Sequence, residues 1–269
     1  MKGAIGVIDS GVGGLTVVNE IVRQLPNESI VYLGDTERCP YGSRTETEII
    51  KYTKEMVHHV LLYDLKILVI ACNTATAYTL EYLKETLKIP VVGVIKPGSR
   101  AAISATTTKK IGIIGTDATI NSRAYERSLK AINENLIVER LACPTFVPLI
   151  ESGEYLRRNI IKEIEDVIEP LREKSDIDTL ILGCTHYPLI SNGIKKVMGK
   201  NVKVISSSQE TAREVSVILD ERHLLNSFLP RKHTFLMTGD VEAFKDIYKN
   251  IFNDSLTNKL DAIIKQVKI

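Results

Sequence analysis

The chain lacks a charge bias: 35 Lys and Arg stand against 33 Asp and Glu, leaving +2 at pH 7. A nucleic-acid surface needs clustered Lys and Arg. Short pairs such as Lys109-Lys110 and Lys195-Lys196 read as solvated, so no nucleic-acid partner is expected. The chain also lacks long apolar runs. None approaches the roughly 20 residues of a membrane span, and no membrane partner is expected. The N-terminal apolar run ends at Asp9, too early for a signal peptide. Cysteine is scarce, with four residues and no paired spacing. That excludes a disulfide framework and a C-x-x-C redox pair, and it fits a reducing cytoplasm. Zinc takes about four ligands, commonly at close paired spacing, and no such spacing is present. No lysine ends a strand in a context that would suit pyridoxal phosphate. Metal and cofactor are therefore both expected to be absent.

What is there is an ordinary globular composition, 44% hydrophobic and 25% charged over 269 residues. That length suits about two domains. The chain is organised around Leu68-Val69-Ile70-Ala71-Cys72-Asn73-Thr74-Ala75-Thr76. A buried parallel strand runs into a cysteine, then small polar residues, then a helical pattern from Ala77 to Leu87. Thr179-Leu180-Ile181-Leu182-Gly183-Cys184-Thr185-His186 repeats the arrangement, with a helix opening at Pro188. Open α/β sheets place ligands at the carboxyl ends of their strands. The two thiols therefore read as a pair acting on one substrate from opposite sides.

The rest of the chain supports an α/β class with two similar doubly wound units. Strand Ala4–Ile8, the glycine turn Asp9-Ser10-Gly11-Val12-Gly13-Gly14 and a helix from Leu15 to Leu25 open a βαβ unit. The turn lacks the Lys of a P-loop and the spacing of a dinucleotide fingerprint, and Asp9 would repel phosphate. A second strand ends at Asp35. The loop 36–44 holds Cys39-Pro40-Tyr41-Gly42-Ser43, with Tyr41 and Ser43 read as exposed. A helix is expected over 45–64 and a strand over 90–95. Pro97-Gly98 marks a crossing. Lys110–Gly115 restates the opening strand, and Thr116-Asp117-Ala118-Thr119 takes the place of its turn. Helices follow over 120–133 and 154–171, and strands over 136–142 and 201–205. Ser206-Ser207-Ser208 reads as a second flexible crossing. The tail carries a helix over 209–219, a strand over 234–237 and a helix after Asp240. The second half repeats the first in outline, which suggests duplication. The expected domains are 1–97 plus 208–269, carrying Cys72, and 98–207, carrying Cys184.

A buried cysteine after a strand is usually a small hydrophobe. Two in matched contexts, each near a helix start that lowers a thiol's pKa, point further. Cys39 and Cys143 lack that context and read as structural. A cysteine–histidine hydrolase would leave Cys72 unused. Inversion at carbon uses both thiols: one takes a proton from one face and the other returns one to the opposite face. The free thiol pKa of about 8.5 suits such acid–base work. Asp9 and His186, expected nearby, could assist proton movement, and Ser10, Asn73, Thr74 and Thr185 supply neutral partners for carboxylates. A binding protein for acidic amino acids is the competing class.

Asp9-Ser10-Gly11-Val12-Gly13-Gly14-Leu15, Pro40-Tyr41-Gly42-Ser43, Ala71-Cys72-Asn73-Thr74-Ala75-Thr76 and Gly183-Cys184-Thr185-His186-Tyr187-Pro188 together resemble the glutamate racemases of the aspartate/glutamate racemase family. The resemblance covers essentially the whole chain. His186 separates it from the related aspartate racemases, which carry Glu after the second Cys-Thr. The resemblance implies two α/β domains with the active site in the cleft between them, no cofactor or metal, a cytoplasmic homodimer, and D-glutamate made for peptidoglycan. It implies that Cys72 takes the α-proton of D-glutamate, partnered by Asp9. Cys184 takes that of L-glutamate, partnered by His186. Asp9, Ser10, Tyr41, Gly42, Asn73, Thr74, Thr185 and His186 match substrate-contacting positions, and Thr116, Thr119 and Glu151 lie near the site.

Overall fold

A computed structural model describes residues 3–156, 158–174, 176–227, 232–252 and 262–269. Two all-parallel sheets carry the fold. The strands are β1 Ala4–Asp9, β2 Ile30–Gly34, β3 Leu65–Ile70, β4 Val91–Gly93, β5 Lys110–Gly115, β6 Ile137–Ala142, β7 Thr179–Gly183, β8 Lys203–Ser206, β9 His233–Met237 and β10 Ala262–Gln266. The first sheet runs β10-β9-β2-β1-β3-β4 and the second β6-β5-β7-β8. Without its two tail strands the first sheet has the order 2-1-3-4, and the second has the same order counted from β5. Cys72 follows β3 and Cys184 follows β7. The two thiols thus leave equivalent strands, each beside the first strand of its sheet, where the direction of winding reverses and ligands bind.

The helices are α1 Leu15–Gln24, α2 Glu46–Val60, α3 Asn73–Thr86, α4 Ile95–Ala105, α5 Asp117–Asn121, α6 Ala124–Lys130, α7 Phe146–Glu151, α8 Ile161–Arg172, α9 Ser191–Met198, α10 Ser207–Glu221 and α11 Val241–Ile251. Parallel strands are buried on both faces, and the period of two sends alternate residues to opposite sides. In β3 and its continuation, Ile67, Val69 and Ala71 join the core under α1, α10 and α11. Leu68, Ile70 and Cys72 join the core under α2 and α3. The second sheet is covered in the same way, by α7, α8 and α9 on one side and by α4 and α6 on the other. Each fully buried Ile or Leu here contributes about 1.5–3 kcal/mol relative to exposure.

Several expected boundaries move, each for a local reason. The helix after Cys72 begins at Asn73 rather than Ala77, because Cys72 is itself the N-cap and its Sγ accepts the Ala75 amide. Pro97-Gly98 is not a turn. It lies in the first turn of α4, buried, where a proline is tolerated because its missing N–H has no intrahelical partner to lose. Ser206-Ser207-Ser208 is not a flexible crossing either. Ser206 ends β8 and caps α10 through the Ser208 amide, and Ser207 and Ser208 are buried. The expected helix 120–133 is two helices, broken where Arg123 takes a left-handed conformation at φ 53°. The expected helix 154–171 is a short 3-10 turn followed by α8. The residues after Cys184 form a 3-10 turn, Tyr187–Ile190, before α9. β10 lies in a stretch with no expected strand. Of the tail, residues 228–231 and 253–261 lie outside the described residues.

Candidate active site

The carboxyl ends of the two sheets face each other across a small cavity. Cys72, Ser10, Tyr41, Gly42, Asn73 and Thr74 line it from the first half, and Cys184, Thr185, His186, Thr116 and Val147 from the second. Its volume is about 10 Å³, barely the space of one water. Every candidate reactive group is buried: Cys72 is 5% exposed, Cys184 7%, Asp9 0% and His186 2%.

The surroundings of the two thiols differ. Cys72 Sγ lies 3.4 Å from the Ser10 hydroxyl and accepts the Ala75 amide at 3.4 Å. Burial and then the Asp9 charge push this thiol up to about 12, against the opposing pull of the Ser10 and Ala75 donors. A helix start was expected to lower it; here desolvation outweighs the α3 terminus. No hydrogen bond joins Asp9 to Cys72 among the described residues. Its carboxylate accepts the Gly11 amide at 3.0 Å and the Thr185 hydroxyl at 3.1 Å. Burial raises the Asp9 carboxyl, while the His186 charge and the Gly14 and Gly11 amides work the other way.

Cys184 Sγ stands 3.7 Å from His186 Nδ1, and His186 Nε2 lies 2.5 Å from Glu151 Oε1. Burial alone would lower the imidazolium; the hydrogen bonds and charges of Cys184 and Glu151 outweigh it and hold His186 well above its usual value. Burial likewise would raise Glu151, but His186, the Val12 amide and the Cys39 thiol hold its carboxylate below the usual range. The second half therefore carries a relay, Glu151–His186–Cys184, in which an imidazolium donates toward sulfur.

The glycine turn explains the closeness of the halves. A Cβ on Gly13 would stand 2.5 Å from His186 Nδ1, one on Gly11 2.4 Å from Glu151 Oε1, and one on Gly42 2.3 Å from Thr116 Cβ. These glycines admit the opposing half rather than a phosphate. Thr74 Oγ1 lies 2.9 Å from Thr116 Oγ1 and 3.0 Å from Thr119 Oγ1, joining both halves in one hydroxyl cluster.

The structure brings every sequence-identified site residue to this cavity or to its first neighbours. Asp9, Thr119 and Glu151 are neighbours, reached through Thr185, Thr74 and His186. Tyr41 is buried rather than exposed, with its hydroxyl donating to Asp35. Sequence reasoning missed Asp35, which is fully buried and also accepts Arg38 Nε at 2.6 Å and the Thr238 hydroxyl at 2.8 Å. A strand ending in Asp beside a Tyr loop was the available signal. It also missed Tyr125, whose hydroxyl donates to Asn73 Oδ1 at 2.7 Å. Cys39, read as structural, places its thiol 3.5 Å from Glu151 Oε1.

Among the described residues, one set of side chains could gather a cation: Cys39, Glu151 and His186 bring ligand atoms within 4.8 Å of one another. Their lone pairs are already committed. Glu151 Oε1 serves His186, Cys39 and the Val12 amide together, and burial keeps Cys39 a thiol, which is a poor ligand. The group reads as a proton network.

Residues 5–215 match the family model described as Asp/Glu/Hydantoin racemase. A glutamate racemase of Oceanobacillus iheyensis is 52% identical over 270 residues, covering 100% of this chain and 98% of its own. The crystal structure of a glutamate racemase from Bacillus anthracis superposes with a TM-score of 0.93 at 47% identity, covering 100% and 99% of the two chains. That of the Francisella tularensis glutamate racemase in complex with D-glutamate superposes at 0.89 and 32% identity, covering 99% and 98%. With two thiols on equivalent strands of a duplicated parallel fold, and this similarity over its whole length, the chain belongs to the Asp/Glu/hydantoin racemase family.

Proposed function

We propose that the protein interconverts L- and D-glutamate by a two-base mechanism, with no cofactor or metal. The observation that carries this reading is the placement of two thiols at one cavity, each on its own sheet and each with its own polar partner. In the L-to-D direction Cys184, as thiolate beside the His186 imidazolium, removes the α-proton. The S–H bond forms as the C–H bond breaks, leaving a planar carbanion. The Cys72 thiol then gives its proton to the opposite face and becomes the thiolate. In the reverse direction the thiols exchange roles, and Asp9 assists proton movement at Cys72. Burial favours the uncharged form of Cys72, which suits it to the acid's part. Ser10, Asn73, Thr74 and Thr185 hold the substrate carboxylates with neutral donors, and Tyr41 and Gly42 close the wall beside them. The volume of the cavity means that glutamate enters only when the halves separate.

The reading places the enzyme in the cytoplasm as a supplier of D-glutamate for peptidoglycan, acting as a homodimer. Among the described residues no helix is long and apolar enough to cross a membrane. The proposed domains are 1–97 plus 208–269 and 98–207. The pairing of β9 with β2 supports returning the tail to the first domain, although the first cut falls inside α4.

The test is incubation with D-glutamate in D₂O, with glutamate and aspartate compared side by side. Loss of the α-hydrogen and of optical rotation with glutamate is expected. Binding of glutamate without exchange would favour the competing class, a binding protein for acidic amino acids. Ultracentrifugation checks the dimer.

A further inference from the structure

Asn73 is 2% exposed and lines the cavity, yet only one end of its amide is satisfied. Oδ1 accepts the Tyr125 hydroxyl at 2.7 Å, while Nδ2 is buried without a hydrogen-bond partner among the described residues. A buried orphan donor is costly in a folded protein unless a ligand takes it. Tyr125 belongs to the opposite half, on α6, and is 2% exposed. Its ring packs below the strand that delivers Cys184: a Cβ on Gly183 would stand 3.2 Å from Tyr125 Cε2.

The direction of this hydrogen bond follows from its two atoms. The phenol of Tyr125 has one proton and Asn73 Oδ1 has none, so the tyrosine donates and the amide oxygen accepts. An amide that receives a proton at one end must present Oδ1 there and turn Nδ2 the other way. The polarity runs from Tyr125 through Asn73 to the cavity.

We infer that Tyr125 is a positioning residue of the site: it locks the Asn73 amide so that Nδ2 donates to a carboxylate oxygen of the bound amino acid. This rests on the glutamate reading above. Tyr125 itself touches no substrate. It sets the identity of the group presented at the wall, and so makes the pocket select an anionic oxygen over an ammonium or amide N–H at that point. It also ties substrate grip to the closed state, since the tyrosine and the asparagine belong to different halves.

The experiment is a double-mutant cycle on the full chain, with KM and kcat read for both isomers. Tyr125→Phe keeps the ring and removes the proton, so KM is expected to rise about ten-fold with kcat changing much less. Asn73→Ala is expected to raise KM at least as far, and adding Tyr125→Phe to it should change KM no further. Asn73→Asp keeps an acceptor for Tyr125 but removes the Nδ2 donor, and should raise KM at least about ten-fold with kcat changing much less, so the Asn73 donor still reads out if Tyr125→Phe folds poorly. An unchanged KM in Tyr125→Phe, or full effects of both substitutions in the double variant, would overturn the inference. Wild-type protein that neither binds nor racemises glutamate would instead overturn the functional reading on which it rests.

Discussion

His186 Nε2 lies 2.5 Å from Glu151 Oε1, with the imidazole 2% exposed and the carboxylate a quarter exposed. The two residues are 35 positions apart, one ending α7 and the other following β7. The contact is an ion pair in which each partner's charge is held by the other.

Replacing Glu151 by Gln is therefore expected to cost stability over a defined pH window. His186 is held above its usual value, so its charged form contributes stability that is complete below its unfolded value of about 6.5 and is lost as pH rises through the folded value. Glu151 is held below its usual value, so its contribution is present above its unfolded value of about 4.3 and is lost as pH falls through the folded value. The difference in unfolding free energy between wild type and Glu151→Gln should be about 1.5–3 kcal/mol near pH 5.5–6, and smaller in strong acid and at high pH. Urea titrations across pH measure it, and a difference independent of pH would exclude the ion pair.

Thiol ionisation supplies a second expectation. Burial pushes both Cys72 and Cys143 up to about 12, with Asp9 and Cys184 adding to the respective shifts, and Cys39 also lies well above its usual value. A Cys184→Ser variant retains only these three thiols. Its ultraviolet thiolate absorbance should stay flat from about pH 6 to 9. A titration centred near 8.5 would show that Cys72 is not desolvated in solution.

The division of labour between the thiols is separable by a half-reaction. A substrate analogue with a leaving group on the β-carbon eliminates once the α-proton is removed, so it needs only the abstracting base. Cys72→Ser should still eliminate from the L-isomer, and Cys184→Ser from the D-isomer. Racemisation should fall in both by about 10²–10⁴. Equal loss of elimination from both isomers in both variants would replace two bases with one.

Closeness of the halves is testable at Gly42. Its added Cβ would meet Thr116 Cβ at 2.3 Å, and Thr116 is hydrogen-bonded to Thr74 on the other side. Gly42→Ala should cost about 1–3 kcal/mol through overpacking and lower kcat/KM at least ten-fold, with circular dichroism unchanged. Wild-type activity in this variant would mean that the loop yields freely.

Much of this site was legible because its signals are local. The apolar runs Ile67 to Ala71 before Cys72 and Leu180 to Gly183 before Cys184 announce buried parallel strands and the side chain at each end. The likeness of the strands that end at Cys72 and Cys184 followed from their matched contexts and from the repeated opening at Lys110, whereas the order of strands in each sheet did not. What could not be read is set by contacts between distant residues. Pro97-Gly98 and Ser206-Ser207-Ser208 carry turn composition, yet each opens a helix whose buried face is decided by the sheets beneath it. The partnership of Tyr125 with Asn73 spans 52 positions, and nothing near Tyr125 distinguishes it from an ordinary core aromatic. Cys39 sits in a loop that looks like surface until Gly11 lets Glu151 approach. β10, with Ile263 43% exposed, is an edge strand whose pattern is too weak to stand out.

The return of β9 and β10 to the first sheet has a consequence for synthesis. β5 to β8 are consecutive in the chain, so the second sheet has all its strands as soon as residue 206 has been translated. The first sheet does not. β9 pairs with β2 in register Val31 to Thr234 through Gly34 to Met237, so β2 waits as an open edge across some two hundred residues of translation. Unpaired edges invite pairing with other chains, and the long-range closure slows assembly. The half bearing Cys184 can mature on the ribosome. The half bearing Cys72 is sealed only near the end of the chain, so a nascent chain cut short before His233 carries both thiols but leaves β2 as an adhesive edge.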